Sequence, residues 1–329
     1  MNSAQHLRIV SVGLAAICLF GMACVSKTTG NEGNLEFAYV ADDDLADFNK
    51  PIGVGASLDL IVAQAGSSAG VVVKKATSDK PEVAEVISAG GNSVVLTGKG
   101  DGSFRLSVET TTPAGDSLND SVDMLVRTPD TLKIRHYCTT GSNANYEVDR
   151  DVLIGFDMLA GGKSVIGWGL HPVIFEPADG FVLNKNTKDQ ASLHLRTAKT
   201  KQTVVIKSTI DGTTSTIGLV TEADFNGARL ALVTEPVGGV FVGAQRLMHV
   251  RPLVDEVPVC QSGAVMTAGA STPDVCTVKA THSGNVTSWV TITGISVGKC
   301  TFTVTLPNGK GGQGVSETFT VDVKQVVKP

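Results

Sequence analysis

Apolar and polar residues alternate along most of the chain, in short runs separated by turns rich in glycine and proline. A period of two predicts strands with one face in a core and the other in water. The first third holds seven such runs, the number expected of an immunoglobulin-like sandwich. No window has the period of an amphipathic helix. The predicted strands of this part are 35–39, 58–62, 71–73, 83–86, 94–96, 104–108 and 122–126.

The last third of the chain repeats the first. Pro81–Val86 returns as Pro273–Val278, and residues 94–108 return without a gap as 290–304. Repeats that keep their order indicate duplicated domains. The stretch between them is about one repeat long and predicts a third, more divergent domain, with two domains and a β-rich insert as the alternative. The predicted domains are residues 35–128, 129–222 and 228–325.

Both repeats resemble the bacterial immunoglobulin-like domains that occur in tandem on surface proteins of the invasin and intimin type. The resemblance implies an all-β fold of tandem immunoglobulin-like sandwiches and leaves the function open, because a fold does not fix an activity. The segments that carry the resemblance are 271–278, 291–294 and 298–302 in the last third, and 78–86, 96–98 and 102–104 in the first.

The N-terminus has the layout of a secretory signal peptide over residues 1–23. Arg8 precedes an uncharged, largely apolar run, Ile9–Ala23, which is short for a membrane span of roughly 20 residues. The residues before Cys24 resemble the lipobox of bacterial lipoproteins, although Gly21 and Met22 depart from the family pattern. The resemblance implies a lipid on Cys24, and ordinary cleavage before this cysteine is the alternative.

A polar segment follows the cysteine and predicts a flexible tether over residues 24–34, because Gly, Ser, Thr and Asn bury too little apolar surface to order a chain. Val25 is not the aspartate that is associated with inner-membrane retention. By family analogy we therefore expect attachment to the outer membrane, with the chain in the periplasm or on the surface. Secretion without an anchor remains the alternative.

Four cysteines remain in an oxidising compartment, and they allow three pairings. Repeat alignment puts Cys276 at the position of Ala84 and Cys300 at that of Phe104, both on predicted strands with a core face. These two side chains are therefore expected to meet across the sandwich, and the resemblance favours the same pair. Cys138 and Cys260 are left either to bridge the second and third domains or to be free.

The candidate catalytic motifs in the sequence are incomplete. Residues 157–164 end like a phosphate-binding loop, but Asp157 stands where the motif needs glycine and no helix pattern follows, so Gly161 and Gly162 predict a hairpin turn. The histidines are scattered singly and are expected to be structural. We therefore predict a chain that is not an enzyme and needs no cofactor.

Two weaker candidates concern ligands. Asp42, Asp44 and Asp47 offer carboxylates to a calcium ion, but a solvated turn is the favoured interpretation, so no metal site is predicted. Trp168 lies between two glycines and is expected to pack in a core, with a role in binding as the alternative.

Composition limits the partners. The net charge of −5 and the pI near 5.7 argue against nucleic acid, which needs a basic stripe. The sequence as a whole predicts a non-enzymatic lipoprotein of the cell envelope, attached to the membrane by its lipid and acting as a spacer or as an adhesin with a protein or glycan partner. The alternatives are a secreted binding module and an accessory subunit of an envelope enzyme or secretion complex.

Overall fold

The computed structural model describes residues 27–39, 48–67, 70–232, 239–283 and 287–326. Within these ranges the chain consists of strands and two one-turn 3-10 helices, Glu222–Asp224 and Lys310–Gly312. The strands form paired sheets over hydrophobic cores, which confirms the all-β fold of tandem immunoglobulin-like sandwiches. No helix in the described part of the chain is long and apolar enough to cross a membrane.

The first sandwich packs the sheet β1-β2-β4-β7-β6 against the sheet β3-β9-β8-β5. Its core contains the inward residues that the alternation predicts, among them Leu58, Leu60, Phe104 and Leu106, each at most 2% exposed. The strands are β1 (Thr28–Thr29), β2 (Leu35–Ala38), β3 (Ile52–Gly53), β4 (Ser57–Gln64), β5 (Val72–Ser78), β6 (Ala84–Gly90), β7 (Ser93–Gly98), β8 (Gly102–Thr111) and β9 (Ser117–Arg127).

The middle sandwich packs the sheet β10-β12-β16-β15, with β13 on β12, against the sheet β11-β18-β17-β14. Gly161 and Gly162 form the turn between β12 and β13 in the left-handed region of φ, so the hairpin prediction is confirmed. The strands are β10 (Thr131–Arg135), β11 (Asn143–Glu147), β12 (Asp151–Ala160), β13 (Lys163–Ser164), β14 (Val173–Glu176), β15 (Phe181–Leu183), β16 (Ser192–Thr197), β17 (Gln202–Ser208) and β18 (Thr214–Val220).

The third sandwich packs the sheet β19-β21-β25-β24, with β22 on β21, against the sheet β20-β27-β26-β23. Phe225 is completely buried in this sandwich, and the exposed Asn226 forms hydrogen bonds with Asp255. The strands are β19 (Gly227–Leu232), β20 (Val240–Phe241), β21 (Gln245–Val254), β22 (Val257–Pro258), β23 (Thr267–Ala270), β24 (Cys276–Ser283), β25 (Thr287–Gly294), β26 (Gly298–Leu306) and β27 (Val315–Lys324).

The sequence repeat corresponds to a structural repeat. In every sandwich a short strand pairs in parallel with the final strand, namely β3 with β9, β11 with β18 and β20 with β27. In the first and third sandwiches this short strand passes over a glycine. A Cβ on Gly98 would lie 2.6 Å from the Gly53 carbonyl oxygen, and a Cβ on Gly294 would lie 2.6 Å from that of Phe241. Steric demand therefore explains why both copies carry glycine there.

Residues 27–34 correct one prediction, because they are packed on the first sandwich. Thr28–Thr29 pair with β2, and the buried carboxylate of Asp120 accepts backbone N–H bonds from Glu32, Asn34 and Leu35 at 2.7–2.8 Å. A carboxylate with several N–H donors orders a polar segment whose composition alone would leave it unfolded. The prediction of a flexible tether therefore does not hold for residues 27–34.

Candidate functional site

The first and middle sandwiches are joined by a backbone ladder, which we call the first junction. The backbone N–H of Trp168 donates to the Ser57 carbonyl at 2.7 Å, and the Trp168 carbonyl accepts the backbone N–H of Ser57 at 2.8 Å. Ile166 bonds to the strand β3 region in the same way, and its side chain is buried in the first core. Gly167 permits the approach, because its φ is +117° and a Cβ there would lie 2.8 Å from that of Ala56.

The side chain of Trp168 lies at the first junction and outside the core clusters, so the expectation of a core tryptophan is wrong. Its indole Nε1 donates to Asp59 at 3.3 Å, and the ammonium of Lys188 lies 4.9 Å from the centre of its ring. Lys188 also pairs with Asp59 at 2.5 Å. The three side chains thus clamp the first sandwich to the middle one. The sequence around Trp168 does not indicate this contact, because Asp59 belongs to the other sandwich.

The middle and third sandwiches are joined more extensively, at what we call the second junction. Residues 259–261 lie beside β11 as an additional parallel strand: Val259 bridges Asn145, and Cys260 donates its N–H to the Asn145 carbonyl at 2.8 Å. The Gln261 side chain accepts the Leu153 N–H at 2.8 Å, where β12 extends past β10. A segment of the third repeat therefore completes the sheets of the middle sandwich.

A disulfide fixes the same segment. Cys138 and Cys260 are bonded, with their Cα atoms 4.9 Å apart, and Cys260 is buried in the core of the middle sandwich. The two halves of this bridge come from different sandwiches. Of the two possibilities left open by the sequence, the structure has the bridge and not the free thiols.

Glu147 is the polar centre of the second junction. Its side chain is 8% exposed, and one carboxylate oxygen accepts two bonds from Arg150 at 2.9 and 3.2 Å. The other oxygen accepts the Ser262 hydroxyl at 3.1 Å and the Gly263 N–H at 2.7 Å. A Cβ on Gly263 would collide with the Arg150 guanidinium. The role of Glu147 was not predictable from the sequence, because Ser262 and Gly263 lie far along the chain and belong to the next repeat.

The second disulfide lies within the third sandwich. Cys276 and Cys300 are bonded, both are completely buried, and their Cα atoms are 5.6 Å apart. The aligned residues of the first sandwich, Ala84 and Phe104, are both in the first core. The structure therefore brings together the two cysteines that the repeat alignment pairs.

A cavity of about 370 Å³ opens beside the second junction. Behind it, His136 is buried, with its ring nitrogens 3.1 Å from the Tyr146 hydroxyl and 2.8 Å from the Ser215 hydroxyl. Burial lowers the pKa of His136, so the imidazole is neutral at pH 7. We call this cavity the junction pocket. It is lined by His136, Tyr137, Cys138, Thr139, Thr140 and Arg229.

A second cavity, of about 390 Å³, lies on the outer face of the middle sandwich. Its charged side chains are already paired, Arg196 with Asp149 and Asp151, and His194 with Asp189 at 2.8 Å. The hydrogen bonds of Asp189 lower its pKa despite its burial. This groove offers no uncompensated charge to a ligand.

Among the described residues, no group of three or more His, Cys, Asp or Glu side chains could hold a metal ion. His194 and His249 bond to neighbouring side chains, as expected of structural histidines. Cys24 and the aspartates Asp42, Asp44 and Asp47 lie outside the described residues.

No protein-family model matches the chain, and no curated protein matches it. Among solved structures it is similar to domains 4–9 of the surface layer protein SbsC, with a TM-score of 0.31 and 15% identity over 92% of this chain and 46% of that one. The chain thus spans less than half of that structure.

Two further structures are similar. One is SGBP-B of the Bacteroides ovatus mixed-linkage glucan utilization locus, in complex with a mixed-linkage heptasaccharide, with a TM-score of 0.29 and 12% identity over 86% of this chain and 68% of that one. The other is invasin, a bacterial integrin-binding protein, with a TM-score of 0.24 and 13% identity over 89% of this chain and 60% of that one. Similarities at these TM-scores support no inference about function.

Proposed function

We propose that the chain is a non-enzymatic lipoprotein of the bacterial cell envelope, whose tandem sandwiches form a stiff array that presents a binding surface at a distance from the membrane. The observation that carries this proposal is the second junction, where a segment of one sandwich is built into the sheets of another and is fixed there by a disulfide. Domains that merely follow one another need no such connection.

The domain division is part of the proposal. We assign residues 35–128, 129–222 and 228–325 to three domains, with residues 259–263 of the last domain serving the middle one as well. Both junctions use backbone hydrogen bonds and buried side chains. Such contacts restrict the relative motion of neighbouring domains, which is the mechanical property that a spacer needs.

The anchor is Cys24 in this proposal, with outer-membrane attachment. Because residues 27–34 pack on the first sandwich, little chain is available as a tether. Three residue steps separate Cys24 from Lys27, and a chain spans at most about 3.6 Å per residue. A lipid on Cys24 would therefore hold the first sandwich within about 11 Å of its attachment point, so the domains themselves would set the distance from the membrane.

Metabolic labelling tests the anchor. The chain, expressed in a bacterium that processes lipoproteins, should incorporate a palmitate analogue and partition into detergent, and Cys24→Ala should abolish both. Cys18→Ala is the matched control, because it removes a cysteine of the apolar run and should leave labelling unchanged. Equal labelling of Cys24→Ala and the wild type would contradict the anchor and favour the unanchored binding protein.

A further inference from the structure

The junction pocket has an excess of positive charge. Arg229 on β19 lines it, and Arg251 on β21 is its direct cross-strand partner, so both side chains lie on the same face of the sheet. In the part of the chain that the structure describes, no carboxylate lies within ion-pairing distance of either arginine. Like charges placed opposite each other destabilise a sheet unless an anion offsets them.

Arg251 shows the same lack of a counter-ion. Its guanidinium donates to the Cys260 carbonyl at 2.6 Å and contacts His249 Nδ1 at 3.3 Å, and its Nε is buried without a partner. Burial lowers its pKa, and Tyr146 offsets this only in part. Buried charges are normally paired, and the Cys260 carbonyl is a neutral partner, so the positive charge of this arginine pair remains for an anion to offset.

The surrounding sheet extends this positive region. The strands β19, β21, β25 and β24 contain no Asp or Glu at any position, although the whole chain has a net charge of −5. The outward residues of this face include Lys279 in addition to the two arginines. Within these four strands the charged side chains are therefore all positive, which favours the association of an anion with this face of the sheet.

The other lining groups suit a sugar. Tyr137 is 50% exposed, so its ring is accessible to a ligand. A hydrogen bond of 2.6 Å between its hydroxyl and Ser192 Oγ holds the ring in place. Thr139 and Thr140 add hydroxyl groups. A fixed aromatic ring, hydroxyl groups and a volume of about 370 Å³ match a site for a small ring-shaped ligand.

We propose that the junction pocket binds an acidic sugar unit of a glycan, with the carboxylate or sulfate of the sugar paired to Arg229 beside Arg251 and the sugar ring packed on Tyr137. This inference rests on the binding role in the proposed function and names the class of ligand. It does not depend on the lipid anchor.

Titration calorimetry on the full-length protein tests the inference with four probes: trigalacturonic acid, its methyl ester, a sulfated disaccharide and sodium sulfate. One or both acidic sugars should bind and should bind more weakly as the salt concentration rises, because salt screens exposed charges. The ester should bind at least about tenfold more weakly, since a hydrogen-bonded charge contributes that much to affinity. The relative affinities of the two acidic sugars distinguish carboxylate from sulfate.

Arg229→Gln should reduce the affinity for the acidic sugar by about tenfold or more, and Tyr137→Ala should also reduce it. Lys207→Gln is the matched control and should leave binding unchanged. It also removes one exposed positive charge, but from β17 of the middle sandwich, where Lys207 does not line the pocket.

Equal binding of the ester and the acid, or equal losses in Arg229→Gln and Lys207→Gln, would overturn the inference while leaving a binding role intact. Binding of sodium sulfate alone, or of none of the four probes, would overturn it as well. The anchor and the stiffness of the array are tested by separate measurements, so their failure would be distinguishable from the failure of this one.

Discussion

Glu147→Gln should destabilise the second junction by an amount that can be worked out from its contacts. The carboxylate accepts bonds from Arg150 on one oxygen and from Ser262 and Gly263 on the other. A glutamine has one oxygen, so it can satisfy only one of these sides and turns an NH₂ group toward donors on the other. A hydrogen bond to a charged group contributes about 1.5–3 kcal/mol.

The exposure of Arg150 limits how much stability is lost when residue 147 carries no charge. Its side chain is 29% exposed, so water partly compensates when its partner loses charge. The cost should therefore stay below the roughly 3–5 kcal/mol of breaking a fully buried ion pair. We expect about 2–3 kcal/mol in total. For a cooperative unit of 150–250 residues, this corresponds to a fall in Tm of about 4–12 °C.

Calorimetric unfolding of the full-length protein measures this fall. Asp151→Asn is the matched control, because it also removes one carboxylate charge close by, but from a side chain that is 73% exposed and pairs with the exposed Arg196. Its Tm should remain at the wild-type value. If Glu147→Gln and Asp151→Asn unfold at the same temperature, Glu147 does not join the two sandwiches energetically and the reasoning is refuted.

Three further predictions concern the other contacts. Burial alone would raise the pKa of Asp120, but hydrogen bonds at Glu32, Leu35 and Ser121 outweigh it and hold the pKa below its usual value. The free energy of unfolding of the wild type should therefore exceed that of Asp120→Asn by its full amount above about pH 5, where the carboxyl is also ionised in the unfolded chain. This difference should shrink as the pH falls through the lowered pKa. A difference that grows on acidification would contradict the role of Asp120. Trp168→Ala should speed amide exchange at Ser57 and at the residues around position 168. Trp289→Ala, which removes the tryptophan of β25 in the third sandwich, should not. Equal effects of the two variants would argue against the clamp of the first junction. Replacing both Cys276 and Cys300 by serine should lower the free energy of unfolding of the third sandwich by about 3 kcal/mol, since the bridge closes a loop of about 25 residues; unchanged denaturant midpoints would count against it.

The sandwiches were predictable from the sequence because their strands follow local rules. Inward residues such as Leu58, Leu60, Phe104 and Leu106 alternate strictly with outward polar ones, and the structure buries them. The pair Cys276 and Cys300 was predictable because a repeat supplies a second copy of the same positions.

The junctions were not predictable from such patterns, because their partners belong to different repeats. Residues 259–263 contain no alternation that identifies Asn145 as the neighbouring strand, and nothing near Trp168 indicates Asp59 or Lys188. The order of residues 27–34 was not predictable either, although their partners belong to the same sandwich. The composition of this segment is that of a disordered linker, and its order comes from pairing with β2 and from the carboxylate of Asp120, which lies far along the chain.

The distance distribution between the first and third sandwiches tests the central claim of a stiff array most directly. Spin labels can be placed at Ala114 and Gln313, which are exposed residues in the first and third sandwiches. Double electron–electron resonance should give one narrow distance peak, because both junctions restrict the domains between the labels. A broad distribution in the full-length, disulfide-bonded protein would show that the sandwiches move freely and would contradict the account.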